Sequence, residues 1–134
     1  MTARNRSNTL ILIAGDLAIF VVFVLVGRET HAAGDSNLII NVLPTLLPFV
    51  LIWFLVAIPM GVLRPNVYRV VPLTIIRTLA AWIIAGPIAI YVRALLLGRT
   101  AIPWQFVAVT IGLNAVLLLT WHMFFAWWLR RSSR

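Results

Sequence analysis

Long apolar runs separated by short polar connections dominate the chain. Four of these runs predict helices, over residues 10–27, 42–63, 71–97 and 103–129. Each run approaches or exceeds the roughly twenty residues that a helix needs to cross a hydrocarbon core. The pattern therefore predicts an all-α, polytopic integral-membrane four-helix bundle that forms a single transmembrane domain over residues 1–134. The first run exceeds the apolar core of a typical signal peptide and contains Asp16, so we expect it to remain in the mature protein.

Proline and glycine residues interrupt two of the four runs. Proline removes a backbone donor and its ring clashes with the preceding turn. Pro44 and Pro48 therefore predict a second helix that is kinked or begins late, near Thr45. Gly86 and Pro87 predict a break in the middle of the third helix.

The composition supports a membrane location, because 63% of the residues are hydrophobic and only 10% are charged. Soluble domains average about half and a quarter. All 11 basic residues are arginines, and they are scattered between the apolar runs. We therefore expect anionic lipid headgroups as partners and no nucleic acid.

The positions of the arginines predict the orientation of the chain in the membrane. Arginine is enriched in short cytoplasmic connections. One set of connections and termini carries Arg4, Arg6, Arg64, Arg69, Arg130, Arg131 and Arg134. The opposite connections carry fewer, so both termini are expected on the cytoplasmic side of the cell inner (plasma) membrane.

A carboxylate and a guanidinium fall inside the apolar runs at matching depths. Asp16 and Arg77 each lie six residues inside their runs, which corresponds to about 9 Å at the helical rise. A charged side chain in the membrane core is costly unless it is paired or faces water. We therefore expect an intramembrane ion pair between Asp16 and Arg77. The alternative is a proton or ion relay at Asp16.

A second group of polar residues is expected at the outer side of the membrane. Arg28, Glu29, His31 and Arg93 should converge there, forming a polar site for a headgroup or an anionic ligand. Alternatively, Arg93 extends its side chain outward to lipid headgroups, or Glu29 and Asp35 neutralise the arginines.

The sequence predicts no catalytic residues, no metal site and no cofactor. It has no cysteine, and its two histidines are placed too far apart to hold one haem. None of the serines lies beside a base within an apolar run. Four residues near the end of the last run could contact a lipid, a quinone or a pigment, namely Trp121, His122, Trp127 and Trp128. The alternative is an ordinary interfacial belt of aromatic side chains.

Several groups of residues together resemble one known family. They are Asp16, Gly27, Arg28 and His31 in the segment GRETH, Pro48 with Phe49 and Trp53, Arg64 with Pro65, residues 86–93 and residues 106–109. In these residues the chain is similar to the small prokaryotic membrane family designated domain of unknown function 3054. Members of that family have Trp-Arg near the end of the last helix, where this chain has Trp121 and His122. The resemblance implies four helices and an uncharacterised role.

These observations leave three functions open. The first is a non-catalytic accessory or structural subunit of a larger electron-transfer, respiratory or photosynthetic membrane complex, with other membrane subunits as partners. The short connections and the small residues Ala80, Ala81, Ala85 and Gly86, which allow close helix contact, favour it. The second is a small oligomeric transporter or channel that uses Asp16. The third is a lipid, quinone or pigment binder.

Overall fold

The computed structural model describes residues 3–29 and 38–132, with the side chains of residues 28–29 and 38–41 excepted. The helices are α1 (Ala3–Glu29), α2 (Leu38–Ala57), α3 (Pro65–Tyr68), α4 (Val71–Leu96) and α5 (Trp104–Ser132). No strand occurs among the described residues. The all-α prediction is therefore confirmed for this part of the chain.

Three of the helices are long and apolar enough to cross a membrane, namely Ala3–Gly27, Val71–Leu96 and Trp104–Ser132. The apolar part of α2 over Val42–Ala57 is shorter. Large apolar side chains point outward from all four of these helices. Leu55 and Trp104, for example, are 70% and 72% exposed. Such surfaces are compatible with a multi-pass membrane protein, because lipid rather than water can cover them.

The four longer helices pack side by side. α1 contacts α2 and α5, and α4 contacts the same two helices from the other side. The short α3 packs on α4 and α5, at the end of the molecule that we call the terminus end. Arg69, which follows α3, donates from Nη2 to Asn5 Oδ1 near the start of α1, at 2.8 Å. The terminus end therefore combines the α1 N-terminus, α3 and the α5 C-terminus.

Two groups of buried side chains form the core. The larger group includes Phe20, Phe49, Trp53 and Trp82, whose ring centroids lie 5.8 to 6.5 Å apart where they pair. Aromatic pairs at such separations add stability beyond the area that they bury. The smaller group lies nearer the terminus end and consists of Leu12, Leu63, Tyr68 and Phe125.

A late start of the second helix near Thr45 is wrong, because α2 begins at Leu38 and contains both Pro44 and Pro48.

The structure also corrects two expectations about a helix break and a helix end. α4 continues without interruption through Gly86 and Pro87. A Cβ at Gly86 would lie only 2.6 Å from Ile111 Cδ1, so glycine allows α5 to approach closely, and this packing supports the helix across the proline. α2 ends at Ala57 rather than near residue 63, because Pro59 follows and the next residues form turns around Gly61, whose φ is +73°.

Candidate functional site: a buried polar cluster

Four polar side chains meet in the interior, one from each longer helix. They are Asp16 of α1, Trp53 of α2, Thr78 of α4 and His122 of α5. All four have a relative exposure of 0%. We call these four residues the buried polar cluster.

The carboxyl group of Asp16 makes two side-chain hydrogen bonds, each to a different helix. Trp53 donates from Nε1 to Oδ2 at 2.9 Å. His122 Nε2 lies 2.8 Å from Oδ1, a distance that places one shared proton between the two groups. Each carboxylate oxygen thus has its own partner, as a buried acid requires.

The second ring nitrogen of His122 extends the cluster to α4. Nδ1 lies 3.2 Å from the hydroxyl oxygen of Thr78. A hydroxyl can donate to a neutral imidazole or accept from a protonated one. The Thr78 contact therefore suits His122 in either charge state, and both ring nitrogens are occupied.

Apolar side chains close the cluster on both sides along the helices. On α1, Leu12 and Phe20 lie one turn before and one turn after Asp16, and both are fully buried. On α5, Leu118 and Phe125 flank His122 in the same way. The Trp53 ring meets the His122 ring edge-on, at 6.3 Å and 89°. Hydrogen bonds in such an apolar surrounding are stronger than in water.

The expected ion pair between Asp16 and Arg77 is wrong. Arg77 is exposed and donates from Nη1 to the backbone carbonyl of Met60 at 2.9 Å. The predicted depth along α4 is nearly correct, since the neighbouring residue Thr78 does join the cluster. The predicted direction of the side chain is wrong, because successive residues on a helix point about 100° apart.

A further polar pair lies toward the other end of α5. Thr110 and Asn114 are both buried, and because residues four apart share a helix face they lie side by side on α5. Asn114 donates from Nδ2 to the Thr110 carbonyl at 2.9 Å. Within the described residues, Thr110 Oγ1 and Asn114 Oδ1 have no hydrogen-bond partner. The buried Leu118 separates this pair from the cluster.

Of the four side chains expected in the outer polar group, the structure describes only that of Arg93. Arg93 is partly buried, and its guanidinium lies 4.6 Å from the centroid of the Phe106 ring, with Nε donating to Thr45 Oγ1 at 3.4 Å. These contacts join α4 to α2 and α5. His31 and the side chains of Arg28 and Glu29 lie outside the described residues, so their convergence with Arg93 stays a prediction.

The aromatic residues near the end of α5 have different environments. Trp121 donates from Nε1 to the Leu12 carbonyl at 3.2 Å and packs against α1. Trp127 lies under Arg131, with the guanidinium 4.0 Å from the ring centroid. Trp128 is 40% exposed. His122 is turned inward to Asp16 and Thr78 and has no nitrogen left to ligate a pigment metal.

No group of three or more potential metal-ligating side chains occurs among residues 3–29 and 38–132, the part covered by the structure. The cluster contains one carboxylate and one imidazole. Since the other two members are a hydroxyl and an indole, it has too few strong ligands for a transition metal.

The sequence offered Thr78 and His122 only as polar groups for a relay from Asp16, and it did not predict the cluster that these residues form with Trp53. The available signal for His122 was its position on α5, at a spacing of four from Leu118 and eight from Asn114, which marks one buried stripe. The signal for Thr78 was its spacing of four from Thr74. Trp53 gave no comparable signal, because one indole among many apolar residues reads as ordinary packing.

Comparison with known proteins gives a family but no activity. The family model described as "Protein of unknown function (DUF3054)" matches residues 13–125, a range that includes every member of the buried polar cluster. No curated protein matches the chain significantly, and neither does any solved structure. Because the match covers most of the sequence, the chain belongs to the uncharacterised DUF3054 family.

Proposed function

We propose that this protein is a non-catalytic integral-membrane protein in which the buried polar cluster holds four membrane-spanning helices together. Both termini lie on the cytoplasmic side of the plasma membrane. The protein serves as an accessory or structural subunit of a larger membrane complex, for which an electron-transfer assembly is our specific candidate.

The structural role rests on one observation: the polar atoms of the buried cluster are hydrogen-bonded to one another. One side chain from each long helix takes part, and the carboxylate and both imidazole nitrogens have partners. Unsatisfied polar groups are expensive in a lipid environment. The helices therefore gain specificity of packing, because rotating any one of them would leave a buried polar atom unpaired.

The order of groups in the cluster resembles that of a nucleophilic triad, with a carboxylate, an imidazole and a hydroxyl. In such enzymes the hydroxyl must reach a substrate, and donors must surround the developing oxyanion. Thr78 is fully buried between α4 and α5. This burial argues for a structural role of the hydroxyl and against catalysis.

The outward surfaces support the assignment as a subunit. Exposed apolar side chains cover all four longer helices, with connections of only a few residues between α4 and α5. Among the described residues, these apolar helix faces form most of the exposed surface, so contacts with a partner subunit would lie mainly within the membrane.

Co-purification under mild conditions tests this proposal. The tagged chain would be extracted from its native membranes in a mild detergent and examined by native mass spectrometry. We expect an assembly larger than 15.0 kDa that contains the same additional polypeptides at fixed stoichiometry in independent preparations. Arg99→Gln, at an exposed position between α4 and α5, is a control that should leave the assembly intact. A chain that always emerges alone would contradict the subunit role.

A second candidate function is a small oligomeric proton or ion transporter that uses Asp16. It is favoured by the suitability of the Thr78 contact for both charge states of His122, and by the unpartnered oxygens of Thr110 and Asn114 on the same face of α5. The continuous α4 gives it no support, since Gly86 and Pro87 do not open the helix and expose backbone carbonyls to a cavity.

Proton flux in liposomes separates the two candidates. For a transporter, purified protein should dissipate an imposed pH gradient, and Asp16→Asn should abolish the flux while Arg77→Gln leaves it unchanged. For a structural subunit, the wild-type protein and both variants should give the same flux as empty liposomes.

A further inference from the structure

A recess at the terminus end is lined by arginines from three parts of the chain. Arg4 comes from the start of α1, Arg69 from the turn after α3, and Arg130 from the end of α5. Asn8 and Trp128 complete much of its wall, and its volume is about 430 Å³. We call it the arginine recess. Its volume falls in the range of about 300–1,000 Å³ that is usual for small-molecule sites.

The lining of the arginine recess contains no carboxylate side chain among the described residues. The whole sequence has three acidic residues, Asp16, Glu29 and Asp35. Asp16 is buried in the polar cluster with His122 and Trp53. Glu29 ends α1, some 25 residues after Arg4 and thus about 37 Å away along the helix. Asp35 follows Glu29 in the sequence, before α2 begins.

Two structural features hold the positive charge at this position. The guanidinium of Arg69 is fixed by its hydrogen bond to Asn5 Oδ1, and the wall beside it includes the buried Asn8. The recess also lies at the N-terminus of α1, which has no acidic residue in its first turn. The positive end of the α1 dipole favours a bound anion. The negative end of the α5 dipole also lies at the recess, and it is offset by Arg130 and Arg131 in the last turn of α5.

We propose that the arginine recess binds a phosphate group, supplied in the membrane by the headgroup of an anionic phospholipid. Arginine forms bidentate hydrogen bonds with phosphate oxygens and stays charged at any physiological pH. Basic pockets at the ends of membrane helices bind anionic headgroups for this reason. Trp128, with its ring partly exposed in the wall, provides the apolar and aromatic contact that suits the headgroup region. The inference rests on the proposed membrane insertion but not on partner subunits or orientation.

Lipid retention in native mass spectrometry tests the site. The purified protein would be exchanged into micelles containing phosphatidylglycerol and phosphatidylcholine at equal concentration. We expect selective retention of phosphatidylglycerol by the wild-type protein. Arg4→Gln and Arg69→Gln should each weaken that retention about fivefold, and the double variant should weaken it further. Arg131→Gln is the matched control, since Arg131 lies at the same end of α5 but contacts Trp127 outside the recess lining.

Arg4→Gln alone keeps the test valid if Arg69→Gln destabilises the protein, because Arg4 is exposed in the first turn of α1.

A second experiment distinguishes the source of the phosphate. If millimolar inorganic phosphate displaces phosphatidylglycerol and raises the melting temperature, the occupant is a free phosphate compound rather than a lipid. Equal retention of both lipids would overturn the proposal, as would equal losses for Arg131→Gln and Arg4→Gln. Neither result bears on co-purification of partner subunits, so the two proposals fail separately.

Discussion

The indole of Trp121 on α5 lies directly against Gly15 on α1, so closely that a Cβ at position 15 would overlap the ring. The same indole donates its Nε1 hydrogen to the carbonyl of Leu12, one turn earlier. Gly15 immediately precedes Asp16, whose carboxylate binds His122 one residue after Trp121. The close approach at Gly15 therefore sets the spacing of α1 and α5 at the level of the buried polar cluster.

Gly15→Ala should destabilise the protein, because its methyl group would push Trp121 out of position. Overpacking of this kind costs about 1–3 kcal/mol. The free energy of unfolding, measured by SDS titration in mild-detergent micelles, checks this. Gly112→Ala is the control, since nothing lies within 4 Å of a Cβ there, and it should be neutral or stabilising by up to about 1 kcal/mol. Equal effects of the two substitutions would contradict the role of Gly15.

Asp16 and His122 should be strongly coupled in a double-mutant cycle. Asp16→Ala or His122→Ala leaves a buried polar partner unpaired, and each should cost about 3–5 kcal/mol in free energy of unfolding. The double variant should cost less than the sum by at least about 1 kcal/mol. The same cycle between Asp16 and Arg77 should show no coupling, because Arg77 binds the Met60 carbonyl instead. Coupling of Asp16 to Arg77 rather than to His122 would refute the assignment.

The error over Arg77 shows what the pattern of residues could and could not predict. Apolar run lengths located α1, α4 and α5 to within several residues and placed Asp16 and positions 77–78 at nearly the same depth. Depth depends only on the helical rise. Which side chain turns inward depends on how the helices rotate, and this is decided by tertiary packing. The sequence pattern therefore favours the charged Arg77 over its uncharged neighbour Thr78 as the partner of Asp16.

The continuity of α4 has a similar explanation. Proline and glycine in sequence favour a helix end, but that tendency is local. In the structure, the Ile111 side chain of α5 lies so close to Gly86 that a Cβ there would come within 2.6 Å of it, so the glycine serves packing between helices. Proline at position 87 is tolerated because neighbouring helices support α4. Such support cannot be read from α4 alone.

Trp53→Phe should destabilise the protein more than Trp82→Phe. Both substitutions keep an aromatic ring and remove an indole N–H from the core. Trp53 donates to the carboxylate of Asp16, whereas Trp82 donates to the backbone carbonyl of Ile111. Hydrogen bonds to charged groups contribute about 1.5–3 kcal/mol, against about 1 kcal/mol for neutral ones. Unfolding free energies of the two variants check this difference, and a larger loss for Trp82→Phe would contradict the role assigned to the bond between Trp53 and Asp16.

The proposed orientation can be measured directly because the sequence contains no cysteine. Ser132→Cys introduces a thiol at the end of α5, and Thr100→Cys introduces one in the connection before it. With both termini cytoplasmic, a membrane-impermeant maleimide should label Thr100→Cys in intact cells. It should label Ser132→Cys only after permeabilisation. The reverse pattern would invert the topology, and labelling of both positions in intact cells would contradict four membrane spans.

Thr110→Val should be neutral or stabilising, because the hydroxyl of Thr110 is buried without a partner among the described residues. Removing an unpaired polar group from an apolar surrounding recovers its desolvation penalty of about 1–3 kcal/mol. Thr78→Val is the matched control, since its hydroxyl contacts His122 and its loss should destabilise the protein. Unfolding free energies and liposome proton flux would be measured together. If Thr110→Val instead lowered a measurable flux without loss of stability, the hydroxyl would belong to a transport path, and the structural function proposed for the cluster would have to be abandoned.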